Sequence, residues 1–534
     1  MFNHTGFMIN SACRQANAYQ SEALPDIIGR ISESMPDRYQ DMFPEARKLK
    51  RHFIVHVGPT NSGKTHDAIA AFMAADNGAY LAPLRLLAYE IYESTNAYGC
   101  PCNMITGEEE LMISNARHVS STIEMADLHQ HYDVCVIDEG QMIADKERGG
   151  SWTAAIVGMQ ADVIHICLSE CAKQMIISLI ESCGDTYEIV EHVRSVPLIA
   201  DEEEFLFPYS VKKNDALIVF SKRSVIYAAA ELQKRGWKVS IVYGALPYES
   251  RRTEIDRFIS GDTDVVIATD AIGMGMNLPL ERVVFLETEK FDGKKKRSLT
   301  EQEVKQIAGR AGRRGIYETG YYNSMYRKQE IIRKLNSDPS EVRYAYLDFP
   351  DTLLNIDGPL SILIDQWNKL PVSNQFRKRF AGTEIELARE LEEYTDNKEL
   401  IYKFITIPFE SRDFVLHTIW KKLFLLELNS QHPESYMKAF LTDSRWLNSM
   451  DLSSLEKEYR KCDLLYNYLR KFQFISEREE ILEHKRNISW YISSYLEKQE
   501  LPLRKCSCCG KDLPWNYPYG LCNSCYRQSY YSWY

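Results

Sequence analysis

Between residues 53 and 285 one pattern recurs: a short apolar run, a turn of small or polar residues, then a stretch with helical spacing. FIVHV (53–57) leads through a Gly-containing turn into the Ala-rich stretch 68–75, and DVCVI (133–137) is a second buried run. LIVFS (217–221), KVSIVYG (238–244) and DVVIATD (264–270) repeat the pattern further on. Alternating strand and helix units predict parallel sheets covered by helices, and two sets of them predict two α/β domains in tandem. From about residue 346 the strand pattern stops and helical periodicity takes over. In SSLEKEYRKCDLLYNYLRKF, Leu455, Tyr459, Cys462, Tyr466 and Leu469 recur at spacings of three and four, an amphipathic helix with Ser453 and Glu456 as its capping box.

Composition adds limits. With 534 residues, 45% hydrophobic and 26% charged, the chain has apolar material for three or four packed domains. No stretch reaches the roughly 18 uninterrupted apolar residues of a membrane helix, and a secretion signal is lacking. The first 21 residues carry Arg14 and no acid, a faint hint of an organelle transit peptide and too poor in Arg to count as one. Most of the thirteen cysteines are scattered, as buried free thiols in a reducing compartment would be; the expected location is the cytoplasm. A net charge of −11 means that any nucleic acid is bound in a local channel rather than by global attraction.

The chemistry is concentrated in three motifs. GPTNSGKT, comprising Gly58, Pro59, Thr60, Asn61, Ser62, Gly63, Lys64 and Thr65, matches the phosphate-binding loop and lies between a strand and a helix as that loop must. Its glycines let amides turn inward around phosphate oxygens, Lys64 supplies charge to the β and γ phosphates, and Thr65 offers a hydroxyl to Mg²⁺. DVCVI ends in Asp138, which would hold the metal, and Glu139, which would orient or deprotonate the attacking water. QEVKQIAGRAGRRG supplies Gln306, Arg310 and Arg313; three-residue spacing places both guanidiniums on one helical face, where one can act as an arginine finger on the γ phosphate. Nucleotide elements divided between two domains form a cleft that opens and closes with ATP.

The order of motifs GPTNSGKT, LAPLRLLAYEIYE, TGEE, HVSSTIEM, VIDEGQM, IVFSKR, ATDAIGMGMN and QIAGRAGR resembles that of superfamily 2 helicases, specifically the mitochondrial degradosome RNA helicase family and its bacterial relatives. PEARKLKR before the first strand is similar too, and the likeness runs over roughly residues 44–500. It implies an N-terminal extension (1–45), two RecA-like domains (46–196 and 197–345) and an all-α domain that closes over the motor (346–500), with a tail (501–534) that the family pattern does not require. It also implies 3′ to 5′ movement on nucleic acid, typically RNA, held as a single strand between motor and helical domain. A nuclease, possible as an exoribonuclease partner, goes with that reading. By motif position, Asp270 and Gly273 would couple the second domain to the nucleotide. Pro83, Arg85, Thr106, Gly107, Thr122, Ser221 and Thr269 would grip the strand through its phosphates, without reading sequence. CLSECA (167–172) replaces the usual Ser-Ala-Thr segment, which makes hydrolysis a safer expectation than unwinding, and DEGQ puts Gln141 where another residue often contacts both domains.

Two features stand outside that frame. FLETEKFDGKKKRSLT has Asp292-Gly293 between two extended arms, a hairpin signal, and Lys294, Lys295, Lys296 and Arg297 add four charges to it. The hairpin splits or steers strands, or it is a solvated loop with a charge run. In the tail, Cys506, Cys509, Cys522 and Cys525 have the paired spacing of a structural zinc ribbon rather than of disulfides, with Cys508 a spare thiol or alternative ligand. Trp515, Tyr517, Tyr519, Tyr526, Tyr530, Tyr531, Trp533 and Tyr534, with Lys505, Lys511 and Arg527, suit stacking of unpaired bases or docking of a protein. The leading reading is an ATP-dependent RNA helicase in RNA turnover. The alternatives are a DNA helicase or remodeller in genome maintenance or defence, and an ATP-switched scaffold that recruits a nuclease.

Overall fold

The computed structural model describes residues 24–273, 275–276, 278–497 and 501–531. Arg14 and the other first 21 residues, Trp533 and Tyr534 lie outside the described residues, as do the side chains of Tyr530 and Tyr531.

The first domain is built on strands β1 (His52–Val57), β2 (Gly78–Ala82), β3 (Cys102–Ile105), β4 (Glu110–Leu111), β5 (His118–Thr122), β6 (His131–Ile137), β7 (Gln160–Leu168) and β8 (Thr186–Glu191). They form one sheet in the order β4-β3-β5-β2-β6-β7-β1-β8, parallel except for the β3–β4 pair. The central strands are apolar on both faces because helices cover both: Phe53, Val55, Tyr80, Leu81, Val136, Ile137 and Ile166 are all buried. Parallel order brings the carboxyl ends of β1, β6 and β7 to one edge, where a ligand crevice forms.

In the second domain, β9 (Leu198–Ala200), β10 (Asp215–Ile218), β11 (Val239–Val242), β12 (Val265–Ala268), β13 (Arg282–Phe285) and β16 (Gly320–Ser324) make a parallel sheet in the order β11-β12-β10-β13-β16-β9. Between β13 and β16, β14 (Glu289–Phe291) and β15 (Lys296–Ser298) form the expected antiparallel hairpin. Its turn closes because Gly293 takes φ +92°, while the Asp292 carboxylate accepts from the amides of Lys294 and Lys295 at 2.9 and 2.8 Å.

The last third is helical, with one departure. Two short strands, β17 (Ala345–Leu347) and β18 (Phe376–Lys378), pair in parallel at its start, so the expected boundary at 345 falls inside a strand. The helix Leu452–Lys471 begins differently from expectation. Asp451 caps it by accepting from the Ser454 amide at 2.7 Å, and Ser453 with Glu456 forms no capping box. Glu456 instead crosses to the second domain, where the Tyr243 hydroxyl donates to it at 2.5 Å and Lys222 pairs with it. The N-terminal extension is partly core: Ile27 and Ile31 are buried, and the helix Leu24–Ser34 packs on Leu360–Lys369.

The tail folds back on the second domain. Trp515 is buried with its ring edge against Phe207 at 5.2 Å, Asn516 donates to the Tyr326 hydroxyl at 3.1 Å, and Arg504 lies 5.4 Å over the Tyr227 ring.

Candidate nucleotide site and nucleic-acid face

The phosphate loop joins β1 to the helix Lys64–Ala74, and Gly63 enters that helix at φ +89°, a conformation that disfavours any side chain. Lys64 is buried, and its ammonium donates to the carbonyls of Gly58 and Pro59 at 3.2 and 3.1 Å, held over the loop where phosphate oxygens would replace those carbonyls. β6 delivers Asp138 and Glu139. Glu139 sits at φ +53°, ψ +46°, left-handed backbone that costs a non-Gly residue about 1 kcal/mol and is retained at functional sites.

Asp138 is held from three directions. Its Oδ2 accepts the Tyr80 hydroxyl at 2.8 Å, its Oδ1 faces Thr65 Oγ1 at 3.5 Å, and its backbone carbonyl accepts the Trp152 indole N–H at 3.0 Å. Burial, and then the neighbouring Glu139 charge, push the Asp138 carboxyl up to about 6 against the pull of Tyr80 and Lys64. A magnesium ion bonded to both oxygens at about 2.1 Å would span the 3.5 Å between Thr65 Oγ1 and Asp138 Oδ1, so the donor set fits the metal. Glu139 is held by the Gln141 amide, whose oxygen accepts the Ser169 backbone N–H at 3.1 Å. These described bonds of Gln141 therefore tie Glu139 to the CLSECA segment within the first domain.

The second domain closes over this edge. A cavity of about 430 Å³ is lined by Gly58, Lys64, Glu139, Gln141 and Gln306, placing Gln306 in the cleft with the phosphate loop. A second cavity of about 440 Å³ on the other side of the loop is lined by Thr65, Asp138, Glu139, Glu90 and Arg310. The helix carrying Gln306, Glu301–Ala308, has a capping box of Thr300 and Glu303, and it stops at Gly309. Arg310 and Arg313 therefore lie beyond the helix, in a turn where Gly312 takes φ +73°, which corrects the expectation that they share a helical face. Arg310 reaches the site from that turn, its guanidinium donating to the Gly273 carbonyl at 2.6 and 3.0 Å. Arg310 and Arg313 both pull down the Glu90 carboxyl, which burial pushes up to about 7. Asp270 pairs with Lys290 of the hairpin at 2.9 Å.

The joint between the domains has specific requirements. Asn61 of the phosphate loop donates to the Gly309 carbonyl at 3.0 Å, and a Cβ on Gly309 would come within 2.9 Å of Thr60 Cβ, so the approach excludes a side chain there. Arg194, in the linker after β8, donates to the carbonyls of Thr60 at 3.2 Å and Gly309 at 2.6 Å, and also to Ala311. Arg194 and Tyr80 escaped the sequence reading. Neither sits in a motif, and the site partners Asp138, Thr60 and Gly309 are 58 or more positions away from them. A third unforeseen feature is a row of three imidazoles, two on the neighbouring strands β1 and β7 and one just after β8. His56 bonds His165 and His192, each at 2.9 Å, and burial lowers His56 to about 4.

The residues expected to grip a strand have diverse local settings. Pro83 uses its carbonyl to accept from Arg148 at 2.6 Å; Thr122 ends β5; Ser221 caps the helix Lys222–Gln233; Thr269 accepts from the Ala271 amide at 3.4 Å. Thr106 is buried and its hydroxyl accepts from the amides of Glu108 and Glu109, so it shapes the TGEE turn, while a Cβ on Gly107 would face Asn467 of the helical domain at 3.9 Å. Arg85 departs from expectation. It is buried against Glu108 at 2.7 Å, Glu109 at 2.8 Å and Glu249 at 3.3 Å, with no open face toward a phosphate. On the hairpin, Lys294, Lys295 and Lys296 are exposed, whereas Arg297 is paired through two bonds of 2.8 Å with Glu303. Burial opposes the Glu303 charge, but Arg297 and Lys290 hold its carboxyl down at about 2.

In the tail, one sulfur from each of Cys506, Cys509, Cys522 and Cys525 lies within 4.8 Å of the others, and Cys509 and Cys522 are 3.8 Å apart. Zinc–sulfur bonds of about 2.3 Å in a tetrahedron separate sulfurs by about 3.8 Å, so the set fits a closed zinc site; Cys508 is exposed and outside it.

Residues 39–192 match the family model described as the DEXQ-box helicase domain of Suv3, and residues 201–315 match that of the helicase conserved C-terminal domain. Among curated relatives, the chain is 46% identical over 279 residues to the ATP-dependent RNA helicase SUV3, mitochondrial, of Candida albicans, covering 51% of this chain and 39% of that protein. It is 39% identical over 319 residues to the protein of the same name from Oryza sativa, covering 59% of this chain and 54% of that one. With the Saccharomyces cerevisiae protein of that name it shares 39% identity over 280 residues, covering 51% and 38%. The matched segment thus spans about half or less of each relative.

Proposed function

We propose, from a chain whose motor is a Suv3-type DEXQ-box domain in series with a helicase C-terminal domain, an enzyme that hydrolyses ATP to move 3′ to 5′ along RNA and separate its strands. The observation that carries this is the convergence of Lys64, Thr65, Asp138, Glu139, Gln306 and Arg310 on two cavities that flank one phosphate loop between two domains. RNA is favoured over DNA by the relatives, each an RNA helicase by name.

In this mechanism the Gly58, Gly63 and neighbouring amides wrap the triphosphate, and Lys64 leaves its loop carbonyls for the β and γ oxygens. Thr65 and Asp138 would hold Mg²⁺, which supplies charge neutralisation across the β and γ phosphates. Glu139, steered by Gln141, takes the proton of the attacking water. Arg310, swinging from the Gly273 carbonyl, and Arg313 meet the charge that develops on the γ phosphate. Hydrolysis removes the group that holds both domains, and the joint at Gly309 relaxes.

The strand would pass between the motor and the helical domain. The hairpin's three exposed lysines contact it beside the junction, and the zinc-bound tail adds its exposed Tyr519 and Tyr526. Among the described residues no helix is long and apolar enough to cross a membrane, and the described cysteines are free. The proposed setting is a reducing compartment, the cytoplasm or the mitochondrion of the relatives' names, with an exoribonuclease consuming the unwound strand.

The test measures ATP turnover and strand separation on matched RNA and DNA duplexes with 3′ or 5′ overhangs. RNA with a 3′ overhang should be unwound best, and Glu139→Gln should abolish the activity, a loss of about 10²-fold or more in hydrolysis. ATP turnover with no strand separation on any duplex would overturn the proposal in favour of a switch that recruits a nuclease.

A further inference from the structure

The acidic turn Glu108, Glu109 and Glu110 lies at the meeting point of all three large domains, and each carboxylate engages cations from more than one element. Glu108 takes Arg85 at 2.7 Å and Lys485 at 3.5 Å. Glu109 is bridged between Arg85 at 2.8 Å and Arg486 at 3.1 Å. Glu110 lies between Arg478 at 3.1 Å and Arg470 at 4.0 Å. Arg470, Arg478 and Arg486 come from two consecutive helices of the helical domain, Leu452–Lys471 and Ile475–Glu497, and they meet at the turn through their pairing with Glu109 and Glu110.

Three observations show that these carboxylates are imperfect partners. The Nε groups of Arg85 and Arg470 are buried with no hydrogen-bond acceptor, so donor capacity remains after the carboxylates are counted. Arg486 keeps 60% of its side chain exposed although it pairs with Glu109. The turn and the second helix also border a cavity of about 620 Å³, lined by Glu109, Glu110, Tyr466, Arg478 and Arg486. A phosphodiester carries the charge of a carboxylate with more acceptor directions, and a planar guanidinium binds either one bidentately.

We propose that Arg470, Arg478 and Arg486 form the row of guanidiniums that binds the phosphates of a single strand, and that Glu109 and Glu110 occupy those phosphate positions until a strand displaces them. The row rests on the strand-binding reading above, and assigns it to side chains of the helical domain.

The experiment measures binding of a fluorescent single-stranded RNA by anisotropy over a salt series, for the full chain without nucleotide. Each phosphate contact on a single strand contributes about 0.7 to the slope of log affinity against log salt, so Arg478→Gln and Arg486→Gln should each lower that slope by about 0.7. Glu110→Gln should act oppositely and tighten binding several-fold, an outcome that misfolding does not produce. Equal slopes in wild type and both arginine variants, or no tightening with Glu110→Gln, would overturn the assignment while leaving strand binding intact. A wild-type chain that binds no single strand would instead overturn the functional proposal.

Discussion

Tyr80 gives its hydroxyl proton to Asp138 at 2.8 Å from the strand next to the one that carries the acid. The bond fixes the carboxylate so that Oδ1, and not Oδ2, faces Thr65. Tyr80→Phe should therefore raise the Mg²⁺ concentration needed for half-maximal ATP hydrolysis by about tenfold, the usual cost of losing an outer partner of a metal ligand. A Mg²⁺ titration of ATPase, with direct Mg²⁺–nucleotide binding by calorimetry as a second readout, decides it. An unchanged Mg²⁺ requirement would show that burial alone orients Asp138.

Arg194 joins the backbone of the phosphate loop to the backbone of the arginine turn in the other domain. Arg194→Ala should lower kcat by about 10- to 100-fold with little change in KM for ATP, because misplacement of the order of 1 Å costs that much when binding is otherwise retained. Arg194→Lys should recover little, since one ammonium cannot span carbonyls that a planar fork reaches together. Single-turnover hydrolysis separates this from slow product release.

Stability should fall in mild acid through His56. Burial depresses His56 from the ordinary imidazole value to about 4, with His165 and His192 adding to the effect. The unfolded chain then binds a proton between about pH 6.5 and 4 that the folded chain refuses, so stability is full above pH 6.5 and is lost as pH falls through that window. Thermal unfolding midpoints across pH 4 to 7 should drop with a slope that is shallower in His56→Gln. Identical slopes would assign the acid sensitivity to other groups, of which His118 and His484 are also depressed by burial.

The tail should hold one zinc ion per chain, released stoichiometrically when its thiols are modified. Cys522→Ser should lose the metal and expose the segment after residue 501 to limited proteolysis. Trp515→Ala should keep the metal and yet show the same proteolysis, because Trp515 seats the ribbon on Phe207 without touching the sulfur set. Retention of zinc by Cys522→Ser would remove that cysteine from the ligand set.

The nucleotide loop, the acid pair and the cysteine pairs were legible because their geometry is local: a few consecutive residues set each one, and turns close over the same few residues. The hairpin was legible for the same reason, through Asp292 and Gly293. Sequence reasoning failed where distant groups compete for a side chain. Ser453 and Glu456 have capping-box spacing, but Asp451 caps the helix and Glu456 is drawn to Lys222 and Tyr243, more than 200 positions away. Arg85 reads as a strand contact until Glu108, Glu109 and Glu249 are brought around it. Arg310 and Arg313 were assigned to a helix that Gly309 ends. For Glu456 and Arg85 the deciding partners come from other elements, which residue spacing does not encode.

Besides the side-chain pairs already described, two bonds to backbone carbonyls fasten the helical domain to the motor. Near its start, Thr153 of the first domain donates to the Tyr346 carbonyl, and near its end Ser250 of the second domain donates to the Ser489 carbonyl at 2.9 Å. A body fastened at both ends to two parts that separate and rejoin is a strap. In the proposed ATP cycle, an opening of the cleft would load the helices between residues 346 and 489 through these two bonds, and a closure would release them. Under the proposed function, the travel per ATP would be limited by how far that strap yields, a mechanical property of helix packing far from any phosphate.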